Sequence, residues 1–345
     1  MANILHVAHS SQFISQYLVF IKGNFDFDQH EFFIIGDSLP EEFLSAKNVR
    51  LVERKVLTHI KLFSLLIVKM CLAKKIILHG LFNPRIILLL TLMPWVLSKC
   101  HWIIWGGDLY VYETQKTLSD NIKEFFRRIV IKRIGYLVTY IKGDYYLAKK
   151  WYSAKGILLD NLMYPSNIFK AQTSYNEVST VVTLQVGNSA DPNNQHLEIF
   201  NKLKPFYNAF DKLYVPLSYG NSEYTQNVIK EGCNIFSKKF IPLTLHLPYD
   251  EYVALQHSVD IAIFNHKRQQ AMGNCITLLG LGKKVYIRAD VTQWLFFREI
   301  GVCVHDIKSL ELTPQSKVDT ENNQKLVKRY FSYERYIEQC KLLFS

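Results

Sequence analysis

The thirty residues Val259–Arg288, VDIAIFNHKRQQAMGNCITLLGLGKKVYIR, change their hydrophobic period twice. Asp260–Phe264 and Lys284–Ile287 are short apolar runs of the kind that buried parallel strands give. Between them, Met272–Leu281 carries apolar residues at helical spacing and stops at Gly280 and Gly282, which suit a helix end. The stretch therefore predicts strand, loop, helix, strand. Its loop holds Asn265, His266, Lys267, Arg268, Gln269 and Gln270, with Gly273 at the start of the helix.

Position gives that loop its meaning, because open α/β sheets bind ligands outside the carboxyl ends of their strands. A helix N-terminus placed there offers unpaired N–H groups and the positive end of a dipole, and Lys267 or Arg268 adds full charge. Such a loop suits a diphosphate. It is equally consistent with a solvated connection on a basic protein. The loop is neither a Walker sequence nor a G-x-G-x-x-G fingerprint, so P-loop and dinucleotide readings have no support.

The same grammar runs outward in both directions. Before it, strands are expected at Asn3–His9, Glu31–Gly36, Lys75–Gly80, His101–Gly107 and Tyr136–Ile141. Helices alternate with them at Ser11–Lys22, Lys61–Leu72, Pro84–Ser98, Thr117–Ile134 and Gly143–Ser153. After a segment rich in Pro, Ser, Asn and Thr, strands recur at Thr180–Val186, Lys212–Leu217, Asn234–Lys238, Asp260–Phe264, Lys284–Ile287 and Val302–His305, with a helix at Gln195–Lys204 and a long last helix at Asn323–Phe344. Alternation of this kind implies parallel sheets covered on both faces. The expected fold class is α/β, with two Rossmann-like doubly wound domains facing each other across a cleft. The expected boundaries are 1–163 for the first domain, 164–179 for a linker, 180–322 for the second domain and 323–345 for a C-terminal helix that packs back on the first.

Composition narrows the class. With 345 residues, 49% hydrophobic and 21% charged, the chain is globular and long enough for two cores. The six cysteines never form a C-x-x-C pair, which argues against a zinc site or a disulfide framework. The most apolar window, Ile86–Leu97, is too short to cross a bilayer as a helix, and the opening MANILHVAHSS has no basic n-region. A cytoplasmic protein is expected. Of the net charge of +11, residues 1–170 contribute 22 Lys and Arg against 13 Asp and Glu, or +9. The basic and aromatic stretch from Lys61 to Lys155 suggests contact with anionic lipid headgroups. A solvated face is the bland alternative. No nucleic-acid-binding signature is present.

Three strand ends of the second half would meet in one crevice: Gly187-Asn188-Ser189, Ser218-Tyr219-Gly220 and the Arg268 loop. Asn188, Ser189, Tyr219, Arg268 and the N–H groups near Gly273 suit phosphate oxygens, while Gln269, Gln270 and Asn274 suit a base or a sugar hydroxyl. Taken singly, Asn188 and Ser189 also fit turns or caps, and Asn193 and Asn194 fit a cap on the next helix. In the first half, Asp108 follows two glycines at a strand end and His79 closes another strand. Either is a candidate general base towards a hydroxyl nucleophile, with Asp108 preferred. Asp108 also fits a helix cap, and His79 a hydrogen-bonded structural role. No metal ligand set and no cofactor are expected.

At these residues the chain resembles the TDP-N-acetylfucosamine:lipid II N-acetylfucosaminyltransferase family, the 4-acetamido-4,6-dideoxygalactose transferases of enterobacterial surface polysaccharide assembly. The resemblance rests on His79-Gly80-Leu81-Phe82-Asn83-Pro84, on Trp105-Gly106-Gly107-Asp108-Leu109-Tyr110, and on Val186-Gly187-Asn188-Ser189 with Asp191, Asn194 and His196 following. Val215-Pro216 with Tyr219, and Arg268-Gln269-Gln270 with Gly273, complete it. These blocks keep the family's order over residues 1–305. The chain departs from the pattern at Gly107, where the family has alanine, at Ser218, and after residue 305. The resemblance implies a metal-independent GT-B glycosyltransferase with the nucleotide in the C-terminal domain and the acceptor in the N-terminal one. It implies a nucleotide-activated deoxysugar donor, with TDP favoured, and a polyprenyl-diphosphate-linked saccharide acceptor at the inner face of the bacterial inner membrane. The alternatives are a nucleotide-sugar epimerase or hydrolase on the same architecture, and a membrane-surface protein without chemistry.

Overall fold

The computed structural model describes residues 3–52, 56–114, 117–170 and 182–345. The chain divides into two compact units, the first made of Met1–Asn167 with Tyr333–Ser345 and the second of Ile168–Ser332.

In the first unit, β1 (Ile4–His9), α1 (Gln12–Asn24), β2 (His30–Ile35), α2 (Glu41–Leu44), β3 (Val49–Val52) and α3 (Val56–Leu72) precede the turn of direction. Then come β4 (Lys75–His79), α4 (Pro84–Leu92), β5 (Cys100–Ile103), α5 (Leu118–Arg133), β6 (Tyr136–Val138), α6 (Lys142–Tyr152) and β7 (Ile157–Leu159). All seven strands pair in parallel in the order β3-β2-β1-β4-β5-β6-β7, so strand order reverses between β1 and β4. Strand alternation sorts the side chains. Leu5 and Val7 join Leu66, Met70, Ile86, Leu90 and Val130 in one core under α3, α4 and α5, while His6 points to the other face.

Local chemistry sets the helix ends. Asn83 caps α4 by accepting from the N–H groups of Arg85 and Ile86, with Pro84 at the first helical position. The helix expected over Pro84–Ser98 stops at Leu92, because Pro94 cannot continue the ladder; a 3-10 run, Pro94–Lys99, follows. Thr117 and Asp120 form a reciprocal capping box on α5.

The second unit repeats the plan with β8 (Thr183–Val186), α7 (His196–Leu203), β9 (Lys212–Pro216), α8 (Ser222–Phe236), β10 (Phe240–Leu243), α9 (Tyr249–Ser258) and β11 (Ile261–Phe264). It continues with α10 (Met272–Gly280), β12 (Lys284–Ile287), α11 (Thr292–Glu299), β13 (His305–Asp306) and α12 (Lys317–Tyr330). The parallel strands lie in the order β10-β9-β8-β11-β12-β13, with the reversal between β8 and β11.

Several expectations need correction. Asn234–Lys238 is not a strand: α8 continues to Phe236 because Val228, Gly232 and Phe236 repeat at helical spacing on its buried side. The strand is Phe240–Leu243 instead. Val302–His305 shrinks to the two residues His305–Asp306. The expected single helix Asn323–Phe344 is two, α12 and α13 (Tyr333–Phe344), separated at Phe331 and Ser332. The segment read as a linker begins inside the first unit, with Tyr164 4% exposed and a 3-10 turn at Pro165–Asn167. Its residues 171–179, and the first two residues of the strand expected at Thr180, lie outside the described residues.

Helix α13 completes the first unit. Leu162 N–H donates to Gln339 Oε1 at 3.0 Å, Tyr336 OH to the Met163 carbonyl at 3.0 Å, and Lys75 Nζ to the Leu343 carbonyl at 2.6 Å. Phe344 sets its ring edge-on to His30 at 4.6 Å between centroids. Among the described residues, no helix is long and apolar enough to cross a membrane.

Candidate functional site

Because β9, β8 and β11 are neighbours, the three loops at their carboxyl ends are brought side by side in the second unit. The backbone leaves β8 at Gly187 with φ +70°, a left-handed conformation that favours glycine. A Cβ there would lie 2.3 Å from His196 Nε2 and 2.7 Å from Asn194 Oδ1, so the position admits no side chain. Asn188 follows, its Nδ2 donating to Tyr219 OH at 3.0 Å. An isolated bridge between Ala190 and Gly220 ties the β8 and β9 loops together.

The β11 loop locks onto the same structure. His266, 1% exposed, donates from Nε2 to Asn194 Oδ1 at 2.8 Å and to Asn188 Oδ1 at 3.0 Å. Both partners are amide oxygens, so the proton sits on Nε2, and Nδ1 is a buried acceptor with no partner among the described residues. Burial, with the nearby Arg268 charge, depresses the His266 pKa to about 3, so the ring is neutral. Asn194, expected as a cap, is instead fully buried and acts as the hinge pin of this cluster: Oδ1 also accepts from Asn188 N–H, and Nδ2 donates to Ser189 Oγ and to the Asp191 carbonyl.

Arg268 is not a solvated residue. Its Nη2 lies 3.0 Å from Asp191 Oδ2, with the two side chains 20% and 26% exposed, and its Nη1 donates to the Gln269 carbonyl at 3.2 Å. Gln270 Nε2 reaches the same carboxylate oxygen at 3.4 Å. Burial raises the Asp191 pKa, but the Asn193 N–H and the Arg268 charge outweigh it and hold the carboxyl below its usual range. Behind this rim stands the N-terminus of α10. Its N-cap, Ala271, is left-handed at φ 58° and no side chain caps the helix. Gln293 Oε1 fixes the approach by accepting from Gln270 N–H at 3.0 Å.

Of the expected ligand-binding residues, Gly187, Asn188, Ser189, Tyr219, Arg268 and Gln270 fall into this cluster, and Gly273 lies in the first turn of α10. Gln269 is 7% exposed. Asn274 is differently employed, since its Oδ1 accepts from Tyr252 OH at 2.7 Å and from Gln256 Nε2 at 2.9 Å, which ties it to α9. The buried partners His266 and Gln293 escaped the residue-by-residue reading. The signal for His266 is a polar ring two residues past the end of a four-residue apolar strand.

In the first unit the two base candidates are deeply built in. Asp108 is 0% exposed, and its carboxylate accepts from Leu81 N–H (2.8 Å), Trp102 Nε1 (2.7 Å) and Trp105 N–H (3.0 Å). Burial raises its pKa, against the pull of these donors and of Arg127. Neither oxygen faces solvent, and the group braces the Leu81 and Trp105 loops; it does not cap a helix. His79, 3% exposed, donates and accepts in a buried chain. Trp105 Nε1 donates to Tyr164 OH at 2.8 Å, Tyr164 OH meets His79 Nδ1 at 2.8 Å, His79 Nε2 meets His6 Nδ1 at 3.1 Å, and His6 Nε2 meets His30 Nδ1 at 2.9 Å. Burial depresses the His79 pKa to about 3. Both of its ring nitrogens are engaged within the protein. It also lines, with His9, Gly80 and Asn83, a small pocket at the β1 and β4 strand ends. Among the described residues, no group of three or more His, Cys, Asp or Glu is arranged to hold a metal ion.

Solved structures share this architecture. A glycosyltransferase from Rickettsia africae aligns with a TM-score of 0.67 at 13% identity, over 99% of this chain and 97% of that one. HepE of Anabaena, solved in complex with UDP and glucose, aligns with a TM-score of 0.69 at 9% identity over 99% of both chains. WaaG, a glycosyltransferase involved in lipopolysaccharide biosynthesis, aligns with a TM-score of 0.58 at 10% identity over 99% of this chain and 94% of that one. At such identities the likeness speaks for the fold, which is the two-domain GT-B type. The model of glycosyl transferase group 56, the 4-alpha-L-fucosyltransferases, matches residues 9–322. With nearly the whole chain covered, this protein is a glycosyltransferase and belongs to the group 56 4-alpha-L-fucosyltransferase family.

Proposed function

We propose that the protein transfers a fucose-like amino sugar, 4-acetamido-4,6-dideoxygalactose, from TDP to a saccharide carried on a polyprenyl diphosphate, in the assembly of a bacterial surface polysaccharide such as an O-antigen or the enterobacterial common antigen. In this reading the second unit binds the nucleotide sugar and the first unit the acceptor. The observation that carries it is the union, at the strand reversal of the second sheet, of an uncapped helix N-terminus with the Arg268 guanidinium and the glycine turn at Gly187. That set is suited to a diphosphate. It would stabilise the leaving group as the sugar bond breaks, the task that metal ions perform in other transferases. The sugar and the nucleotide follow from the sequence resemblance, and the family supports a fucose-type donor.

Asp108 and His79 then act as positioning residues that hold the Leu81 and Trp105 loops, and proton removal from the acceptor falls to another group. The test is calorimetric binding of TDP, UDP and GDP, followed by product analysis with a polyprenyl-linked saccharide. Preference for TDP and sugar transfer to the lipid-linked acceptor are expected. Preference for another nucleotide would overturn the donor, and sugar release or epimerisation without transfer would overturn the acceptor.

A further inference from the structure

Two neighbouring elements of the first unit turn apolar stripes outward. On α4 and the 3-10 run after it, Leu88, Leu92 and Trp95 recur at i, i+4 and i+7 and are 42%, 66% and 65% exposed. On α5, Leu118, Ile122 and Phe125 repeat the spacing at 85%, 62% and 59%. Helix α4 packs against α5, and their inner residues Ile86, Leu90, Val130 and Ile131 share one core. The six exposed side chains therefore lie on the outer side of a single helical layer. Scattered exposed apolar residues are ordinary on a protein surface; two adjoining stripes of six large ones mark an interaction face.

The charges around the face say what it meets. Arg85 lies one turn before Leu88, and Lys132 and Arg133 continue α5 beyond Phe125, all exposed. The only carboxylates on α5 are already taken, Asp120 by Thr117 and Lys123, and Glu124, 4% exposed, by Arg127 and Arg128. Arg127 itself is 6% exposed and donates to the Leu81 carbonyl, so the face does not depend on every base of the sequence run. An apolar centre with a cationic rim and a tryptophan complements an anionic bilayer surface, where side chains enter the acyl boundary and the cations meet headgroups. A symmetric pair of these chains would instead set the basic rims of two copies close to each other.

We propose that the α4–α5 face docks on an anionic lipid bilayer, inserting Leu92, Trp95, Leu118, Ile122 and Phe125. The docking rests on the acceptor reading above only for its purpose, which is to hold the enzyme where a lipid-linked saccharide is presented.

The test is co-sedimentation of the full chain with phosphatidylglycerol-containing vesicles and with pure phosphatidylcholine vesicles. Preferential binding to the anionic vesicles is expected, and Leu92→Glu with Ile122→Glu should weaken it at least tenfold while TDP affinity, measured alongside, stays at the wild-type value. Tryptophan emission should shift to the blue on vesicle binding, and Trp95→Phe should remove that shift while binding persists. Equal vesicle binding by the Leu92→Glu, Ile122→Glu protein would overturn the proposal, as would a wild-type dimer that this double change dissociates. Vesicle binding without sugar transfer would support the docking and count against the acceptor.

Discussion

Replacing Arg268 by alanine removes two things at once. It deletes the cation at the rim of the α10 N-terminus, and it leaves Asp191, 3.0 Å away in the intact protein, as an uncompensated negative charge on the same rim. A hydrogen bond to a charged group contributes about 1.5–3 kcal/mol. Because both side chains are partly exposed, at 20% and 26%, the lower to middle part of that range applies. At about 1.4 kcal/mol per decade, the loss of the cation alone weakens diphosphate affinity by roughly ten- to fiftyfold, and the orphaned carboxylate adds to it. Adding Asp191→Asn should therefore restore part of the affinity, by about a decade. Arg268→Lys should fall between wild type and alanine, since an ammonium cannot hold Asp191 and a phosphate oxygen in the planar fork that guanidinium offers. Calorimetry with TDP at fixed ionic strength measures all four proteins. In transfer assays a further loss in kcat is expected, because charge on the leaving diphosphate grows in the transition state. If Arg268→Ala binds TDP within twofold of wild type, the diphosphate site does not lie here. If the double change binds no better than Arg268→Ala, the Asp191 carboxylate does not face the ligand.

Gly187→Ala should cost about 1–3 kcal/mol of stability and weaken TDP binding, since the new methyl meets His196 and Asn194 at a backbone held at φ +70°; an unchanged melting temperature would contradict this. Asp108→Asn leaves one oxygen where a carboxylate accepts three N–H bonds, so a loss of about 2–4 kcal/mol and a fall of several degrees in Tm are expected, with TDP affinity intact. Lost turnover at unchanged Tm would restore Asp108 as a base. The buried His79, His196 and His266 all have pKa values depressed to about 3, so the unfolded chain binds their protons first as pH falls below about 6.5. Their stabilisation is present above pH 6.5 and is lost as pH falls towards 3, each accounting for about 2 kcal/mol by pH 5. A denaturation midpoint that stays flat between pH 7 and pH 5 would refute it.

The second unit was readable where the hydrophobic period breaks. Ile261–Phe264, the polar loop and Met272–Gly280 stand almost where the alternation in Val259–Arg288 puts them, because each element is buried enough for its pattern to be set by the core. What escaped is short, at an edge, or long-range. Strand β3 interrupts its apolar residues with Arg50 at an exposed position, and β7 is three residues with Ile157 61% exposed, so neither has the buried run that reads as a strand. A basic helix sequence such as KEFFRR does not tell which arginine turns inward; Arg127 is held inside by the carbonyls of Leu81 and Asp108, 46 and 19 residues away, together with Glu124 one turn back. The same holds for the candidate site. Glycine turns are visible locally, whereas the Asp191–Arg268 pair spans 77 residues and the His79–Tyr164 contact 85, and no local pattern encodes either.

The return of α13 to the first unit gives the chain an order of assembly during synthesis. The sheet face that carries His6 and His30 is closed by Phe344, and β4 and the segment after β7 are tied down by Leu343, Gln339 and Tyr336. A ribosome must therefore complete all of Ile168–Ser332 before the first unit receives its last helix. At about 5–20 residues per second that is a wait on the order of ten to thirty seconds, during which an aromatic and histidine-rich face stays open. The second unit, continuous in sequence, can close during that interval. Loss of the last dozen residues, by a premature stop or a protease, would hold the first unit permanently in its nascent form, and such chains would be expected to depend on chaperones and to be cleared by quality control.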